Sequence, residues 1–303
     1  FACAGRPYFD FSARRDHGAD AAMLAARAAF VGGAAGTSNV LAGATYGIPL
    51  AGTMAHSYVM AFESEADSFR AYARQFPERA TLLIDTYDTL RGARTAAAVA
   101  GELRAEGIAV QAVRIDSGDL LALSRQVRAT LDEAGCRDVR IFVSGDLAEG
   151  RIAELVAAGA PIDGFGVGTQ LGTSADAPSL AAVYKLVADQ RGPQMKLSED
   201  KATLPGRKQV YRFGESRFEH DLLALRDEPA PPGGRPLLVE VMRGGRRLSP
   251  AEPLVAAGER TAATLASLPP ELRQLEPASH PYPVRLSPAL VELTTSVRTR
   301  LSG

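Results

Sequence analysis

Residues 80–90, Ala-Thr-Leu-Leu-Ile-Asp-Thr-Tyr-Asp-Thr-Leu, and residues 108–120, Ile-Ala-Val-Gln-Ala-Val-Arg-Ile-Asp-Ser-Gly-Asp-Leu, decide the fold class of this chain. Each opens on a short aliphatic and β-branched run, breaks into acidic and small polar residues, and hands over to an Ala- and Leu-rich stretch. After Asp119, residues Leu120, Leu123, Val127 and Leu131 recur at helical spacing until Gly135, a residue suited to a left-handed stop. The unit is strand, polar loop, helix. Outward from it, further candidate strands fall at 7–11, 48–52, 139–143 and 164–168, and Ile152, Leu155 and Val156 mark a helix that stops before Gly159. A succession of such units without an antiparallel hairpin predicts a parallel sheet covered by helices, either open and doubly wound or closed as a barrel. The barrel is favoured.

The rest of the composition narrows the class. The 303 residues are 46% hydrophobic and 23% charged, which is globular and leaves room for one large barrel or about two average domains. A net charge of −1 excludes a sequence-independent nucleic-acid binder, so any phosphate site must be local. Cys3 and Cys136 make neither a disulfide framework nor a metal cluster, which fits a reducing cytoplasm. No apolar run approaches the roughly 18 residues of a bilayer span, and no basic-then-apolar leader opens the chain. No membrane partner is expected. The chain starts at Phe1 rather than Met, and an N-terminal part is expected to be missing.

The texture changes after Lys196, dividing an α/β barrel domain, 1–196, from a smaller mixed α/β unit, 197–303. Residues 228–236, with four Pro and two Gly, read as a turn leading into a strand at 237–242. Ser287 and Pro288 suit the cap and first position of a terminal helix running to about Arg300, with Leu290, Leu293 and Val297 on one side.

In parallel α/β folds the chemistry sits beyond the carboxyl ends of the strands. Those ends carry Arg14 and Arg15; Gly36 to Asn39; Thr53 and His56; Asp85 to Asp88; Arg114 and Asp116 to Asp119; Ser144 to Asp146; and Gly166, Gly168 and Thr169. Singly, each has a plain structural explanation: Asp88, Asp119 and Asp146 suit helix caps, Arg14 and Arg15 suit surface cations, and one glycine loop is a weak phosphate signal. Their coincidence on successive ends of one sheet favours a composite site. Arginines and bare backbone N–H groups suit phosphate, and the carboxylates suit ribose hydroxyls or a Mg²⁺ bridging phosphates, so the expected ligand is a phosphorylated sugar with magnesium.

The ordered blocks Phe11-Ser12-Ala13-Arg14-Arg15-Asp16-His17-Gly18, Gly36-Thr37-Ser38-Asn39, Gly52-Thr53-Met54-Ala55-His56-Ser57, Leu83 to Thr89, Arg114 to Asp119, Ser144-Gly145-Asp146 and Phe165 to Thr169 resemble nicotinate phosphoribosyltransferases. Tyr184-Lys185-Leu186 and residues 204–208 are similar to later blocks of the same family. The resemblance implies an irregular parallel (β/α) barrel of the type II phosphoribosyltransferase kind, joined to a smaller α/β sandwich-like domain that is only partly present. It also implies a cytoplasmic homodimer joining nicotinate to 5-phosphoribosyl 1-diphosphate for NAD salvage, with ATP as co-substrate, Mg²⁺ as cofactor and a transient phosphohistidine. Residue by residue, His56 matches the phosphorylated histidine, with Asp85 or Asp88 as its orienting carboxylate. Ser38, Thr53 and Arg114 match nicotinate positions. Arg14, Asp116, Gly145, Asp146, Gly168 and Thr169 match positions for the phosphoribosyl group, while the metal ligands stay unassigned. Ser38 stands where nicotinamide-using relatives carry an aspartate, which would repel a carboxylate. About a third of the family's usual chain, including an aromatic residue that stacks on the pyridine ring, has no counterpart here. The alternatives are a nicotinamide- or quinolinate-using relative and a non-catalytic phosphosugar-binding barrel.

Overall fold

In the computed structural model, which describes residues 1–198 and 202–302, the chain divides into two units. The first comprises Phe1–Ser179 with Leu254–Glu259, and the second Leu180–Pro253 with Arg260–Gly303. In chain order the first unit runs Tyr8–Asp10 (β1), Ala19–Val31 (α1), Gly36–Thr37 (β2), Val40–Tyr46 (α2), His56–Met60 (α3) and Glu65–Gln75 (α4). It continues with Thr81–Leu83 (β3), Thr89–Ala105 (α5), Ala112–Ile115 (β4), Leu120–Glu133 (α6), Arg140–Val143 (β5), Glu149–Ala157 (α7), Gly164–Val167 (β6) and Thr169–Gly172 (α8).

The expected strand–loop–helix rhythm is present, and its helix starts are set by side chains quoted above. Asn39, Asp88 and Asp119 each accept a backbone N–H in the first turn of α2, α5 and α6, satisfying donors that a helix start leaves without partners. Gly135 and Gly159, just past α6 and α7, adopt φ of +74° and +66°.

All six strands pair in parallel, in the order β2-β1-β6-β5-β4-β3. That is sequence order read round a ring, so the sheet curls as a barrel rather than spreading as a doubly wound sheet. Two expectations are corrected. The strand at 48–52 reduces to one parallel bridge, Leu50 to Thr37, because Pro49 has no N–H to give a ladder. The missing strand is Gly36–Thr37, counted above among the polar strand ends rather than as a strand, whose Thr37 is fully buried. Among the described residues the ring stays open between Leu50 and β3.

One face of the sheet packs under helices. Leu82, Ile84, Val113, Ile115 and Ile141 are fully buried, in one cluster with Phe69, Leu103, Val127, Leu131, Ile152 and Leu155 of α4 to α7. Each such aliphatic side chain contributes roughly 1.5–3 kcal/mol of burial. The small residues Gly92, Ala93, Ala96, Ala97 and Ala100 form the buried side of α5, which lets that helix lie close to the strands. The other face lines an interior cavity with Phe9, Phe11, Phe142, Arg114, Ser144 and Gly166. Gly166 is required there: a Cβ would stand 2.6 Å from the Phe11 ring.

The second unit holds a four-stranded sheet in the order Arg235–Pro236, Lys208–Phe213, His220–Leu225 and Val284–Leu286, antiparallel except for the last pairing. The strand expected at 237–242 is confined to a hairpin arm, Met242–Arg243. The terminal helix, Pro288–Ser302, starts as expected, with Ser287 Oγ accepting the Leu290 N–H and Leu290 and Val297 buried. No helix among the described residues is long and apolar enough to cross a membrane.

Candidate active site

The site is assembled by register. Parallel pairing of β4 with β5 sets Ile115 opposite Val143, so the residues that follow, Asp116 and Ser144, emerge side by side. Arg114, in β4, threads between them. Its Nε donates to Ser144 Oγ (2.8 Å), its Nη1 to Thr53 Oγ1 (2.7 Å) and its Nη2 to Asp116 Oδ1 (2.7 Å), while Ser144 Oγ donates to the same Asp116 oxygen. The guanidinium carbon lies 5.7 Å from the centre of the Phe11 ring. Gly145 holds this corner: at φ +93° it packs on the Asp116 carbonyl, where a Cβ would come within 2.0 Å of the oxygen.

His56 opens α3 and reaches the same cluster. Its Nδ1 lies 3.1 Å from Thr86 Oγ1, and its Nε2 lies 3.6 Å from Asp116 Oδ2. The imidazole is 42% exposed, so an incoming group can reach it. Burial opposes ionisation of Asp116, but the Arg114 guanidinium, the Ser144 hydroxyl and His56 together outweigh it and hold the carboxyl below its usual range. Asp116 is therefore an anion at neutral pH.

Asp85 supports the cluster from beneath. Its Oδ2 accepts the Asp116 N–H (2.8 Å) and the Ser117 hydroxyl (2.7 Å), and its Oδ1 is buried without a hydrogen-bond partner among the described residues. The sequence expectation for the histidine's carboxylate is corrected here: Asp116 stands beside His56, Asp85 binds the following loop, and Asp88 caps α5 through the Arg91 N–H. A helix start is a local and better-matched partner for Asp88 than a distant imidazole.

The remaining candidates ring this cluster without joining it. Arg14 is exposed and has no side-chain partner among the described residues. Ser38 is exposed just past β2, its N–H donating to the Asp10 carbonyl, and it does not line the cavity. Asp146 is exposed at φ +52°. Gly168 and Thr169 begin α8, where a Cβ on Gly168 would lie 3.3 Å from the Phe11 carbonyl. Among the described residues no group of three or more His, Cys, Asp or Glu side chains is arranged to hold a metal ion by itself.

Sequence reading missed several participants. Phe11 lines the cavity beside Ser144, which the sequence placed only at a strand end; the cavity holds about 330 Å³ and is walled by Phe9 and Phe142. Asp10, almost fully buried, accepts the Ser12 N–H and the Thr37 hydroxyl and so ties the ends of β1 and β2 together. Ser12 donates to Asp16, whose carboxyl is pushed up by burial. The strand period was the available signal: Phe9 and Phe11 lie two apart, as do Phe142 and Ser144, and each pair shares a face with Arg114.

The family model described as the nicotinate phosphoribosyltransferase (NAPRTase) family matches residues 7–197, and that of the nicotinate phosphoribosyltransferase C-terminal domain matches residues 233–294. Nicotinate phosphoribosyltransferase pncB2 of Mycobacterium tuberculosis is 50% identical over 296 residues, which cover 96% of this chain and 62% of the relative. The nicotinate phosphoribosyltransferase of Bacillus subtilis is 46% identical over 229 residues, covering 72% of this chain and 46% of its own. Among solved structures, human nicotinic acid phosphoribosyltransferase superposes with a TM-score of 0.80 at 28% identity, covering 97% of this chain and 71% of that one. Nicotinate-nucleotide pyrophosphorylase from Pyrococcus furiosus superposes with a TM-score of 0.76 at 27% identity, covering 88% and 67%. The chain thus spans less than two thirds of the length of these curated relatives.

Proposed function

The chain belongs to the nicotinate phosphoribosyltransferase family, and we propose that its barrel transfers the phosphoribosyl group of 5-phosphoribosyl 1-diphosphate to nicotinate, giving nicotinate mononucleotide and diphosphate. One observation carries this reading: Arg114 is fixed by three hydrogen bonds between an aromatic-lined cavity and an ionised carboxylate. A guanidinium has five N–H donors. Three of those of Arg114 are engaged. The others are free for a planar carboxylate, while the pyridine ring lies against Phe11.

In this mechanism the pyridine nitrogen attacks the anomeric carbon, the C–N bond forms as the C–O bond to diphosphate breaks, and no covalent enzyme intermediate is needed. Asp116, held as an anion, faces the ribose and stabilises positive charge developing at the ring carbon. Arg14 and the Gly168–Thr169 turn serve the phosphate groups, with Gly145 and Asp146 closing the sugar side. Mg²⁺ would come with the diphosphate. Asp85 fits as its protein donor, because its Oδ1 is buried and unpartnered, and the ion would neutralise the departing charge.

We assign ATP coupling to His56. Nδ1 attacks the γ-phosphorus, an N–P bond forms and the P–O bond to ADP breaks, while the proton on Nε2 stays directed at the Asp116 carboxylate. Subsequent hydrolysis of the N–P bond releases phosphate. The reading includes a homodimer in the cytoplasm and NAD salvage, and Ser38 as a neutral residue compatible with the acid. The test is product formation by the purified chain with nicotinate or nicotinamide, alongside γ-labelled ATP. Nicotinate mononucleotide and acid-labile label lost in His56→Ala are expected. Faster turnover of the amide, or label that survives the substitution, refutes the assignment.

A further inference from the structure

We propose that the interior cavity has its own mouth at the amino-terminal end of the barrel, flanked by Arg79 and Arg140, and that the aromatic monocarboxylate substrate enters there. The proposal rests on nicotinate being the acceptor, as read above. Its basis is the lining of the cavity, which changes along the strand direction. At one end stand Arg114, Thr53 and Ser144; the middle is Phe9, Phe142 and Leu50; at the other end are Arg79, Gln111 and Arg140. Arg140 is the first residue of β5, two before Phe142, so it belongs to the same inward row. The rim is stitched by backbone: the Arg140 N–H donates to the Gln111 carbonyl, and the Gln111 N–H to the Ala80 carbonyl.

Both rim arginines are exposed, and neither has a side-chain hydrogen bond or ion pair among the described residues. Glu78, on the same rim, offsets one of the two charges and leaves the mouth cationic. An apolar shaft with a free cation at its outer edge and a guanidinium at its inner end selects a flat, singly charged aromatic acid. Phosphoribosyl diphosphate, with several charges and no apolar face, is excluded from such a passage by desolvation. The two substrates therefore approach from opposite ends of the strands, and the acid can load while the sugar diphosphate occupies the polar end.

The experiment is NMR line-shape analysis of nicotinate ring protons, giving association rates for the wild-type chain, Arg79→Glu/Arg140→Glu and Arg79→Lys/Arg140→Lys, with and without ribose 5-phosphate plus inorganic diphosphate. Charge reversal is expected to slow association by roughly tenfold at low salt, with the gap closing as salt rises. The lysine pair should keep the wild-type rate, and the sugar phosphate and diphosphate should leave it unchanged. An unaltered rate in the glutamate pair, or a wild-type rate blocked by the polar ligands, overturns the second mouth while leaving the acceptor assignment standing. Absence of any nicotinate binding by the wild-type chain overturns both.

Discussion

Each unit of the molecule contains an arginine–aspartate pair on its sheet, and the two are built differently. In the second unit Arg212 and Asp221 face each other across antiparallel strands, with Nε and Nη2 on the two carboxylate oxygens (2.9 and 2.8 Å). Tyr282 donates to the same carboxylate, and the guanidinium lies 4.4 Å from the centre of the Phe218 ring. That pair is closed on itself: fork meets fork, and a ring covers the flat face. In the first unit Arg114 gives only one N–H to Asp116 and spends two others on Thr53 and Ser144, while Asp116 keeps its second oxygen toward His56. A bidentate pair is a staple between strands, whereas a divided one leaves charge and donors pointing into open space. Chemistry is expected where the pair is divided.

The sharpest way to break this contrast is to truncate each arginine. Arg114→Ala is predicted to lower kcat/KM for nicotinate by about 10²- to 10³-fold, the scale of losing a fixed charged donor, with little change in thermal midpoint. Steady-state kinetics beside a melting curve checks both halves. Arg212→Ala is predicted to do the reverse, lowering the stability of its unit by about 2 kcal/mol in denaturant titration while leaving the transfer step unchanged. An active Arg114→Ala, or an Arg212→Ala that is stable but inactive, would reverse the roles given to the two pairs.

A smaller effect is expected in acid. Asp221 is held below its ordinary value of 3.8 first by its hydrogen bond from Arg212, and Asp116 is held below the same value by Arg114, Ser144 and His56 against the opposing cost of burial. A depressed folded pKa means stabilisation that is complete above about 3.8 and is lost as pH falls through the lower folded value. Removing Arg114 leaves burial as the largest influence on Asp116, so the acid limb of residual activity in Arg114→Ala is predicted to move up in pH. Removing Arg212 is predicted to raise the acid-unfolding midpoint of the second unit instead. A pH–rate profile and acid titration by circular dichroism separate the two, and an unmoved limb in both variants would disconnect these carboxylates from their arginines.

The same comparison shows what was legible beforehand. The βα rhythm of residues 80–131 could be read because its helices carry their apolar residues at local spacing and start on local caps. The pair Gly36–Thr37 could not, since two residues without an apolar run give no period, and only pairing with β1 makes them a strand. Most site residues were named as strand ends, yet the partner of His56 was misassigned to Asp85 or Asp88. Both are nearer to His56 in sequence than Asp116 is, but Asp85 binds the loop after β4 and the oxygen of Asp88 is taken by a helix start. The actual neighbour, Asp116, follows β4 and comes beside His56, at the start of α3, only in the folded chain. Phe11 was passed over because a strand phenylalanine looks the same on either face until the curl of the sheet is known.

The smallest predicted effect concerns Ser38, which the family resemblance singled out for acid over amide. Its side chain is exposed and stands outside the cavity, so an added carboxylate there acts through water-screened space rather than by contact. Charges in such positions are worth about 0–1 kcal/mol, and Ser38→Asp is therefore predicted to shift the nicotinate-to-nicotinamide preference by no more than about fivefold in a competition assay. Discrimination on this account belongs to Arg114, whose remaining donors suit two carboxylate oxygens better than one amide oxygen and an NH₂ group. A shift beyond about thirtyfold would place the residue 38 side chain against the ring in the loaded enzyme. The end of β2 would then have to be counted with the divided pair as part of the ring site, and Arg114 would lose its standing as the sole reader of the acid.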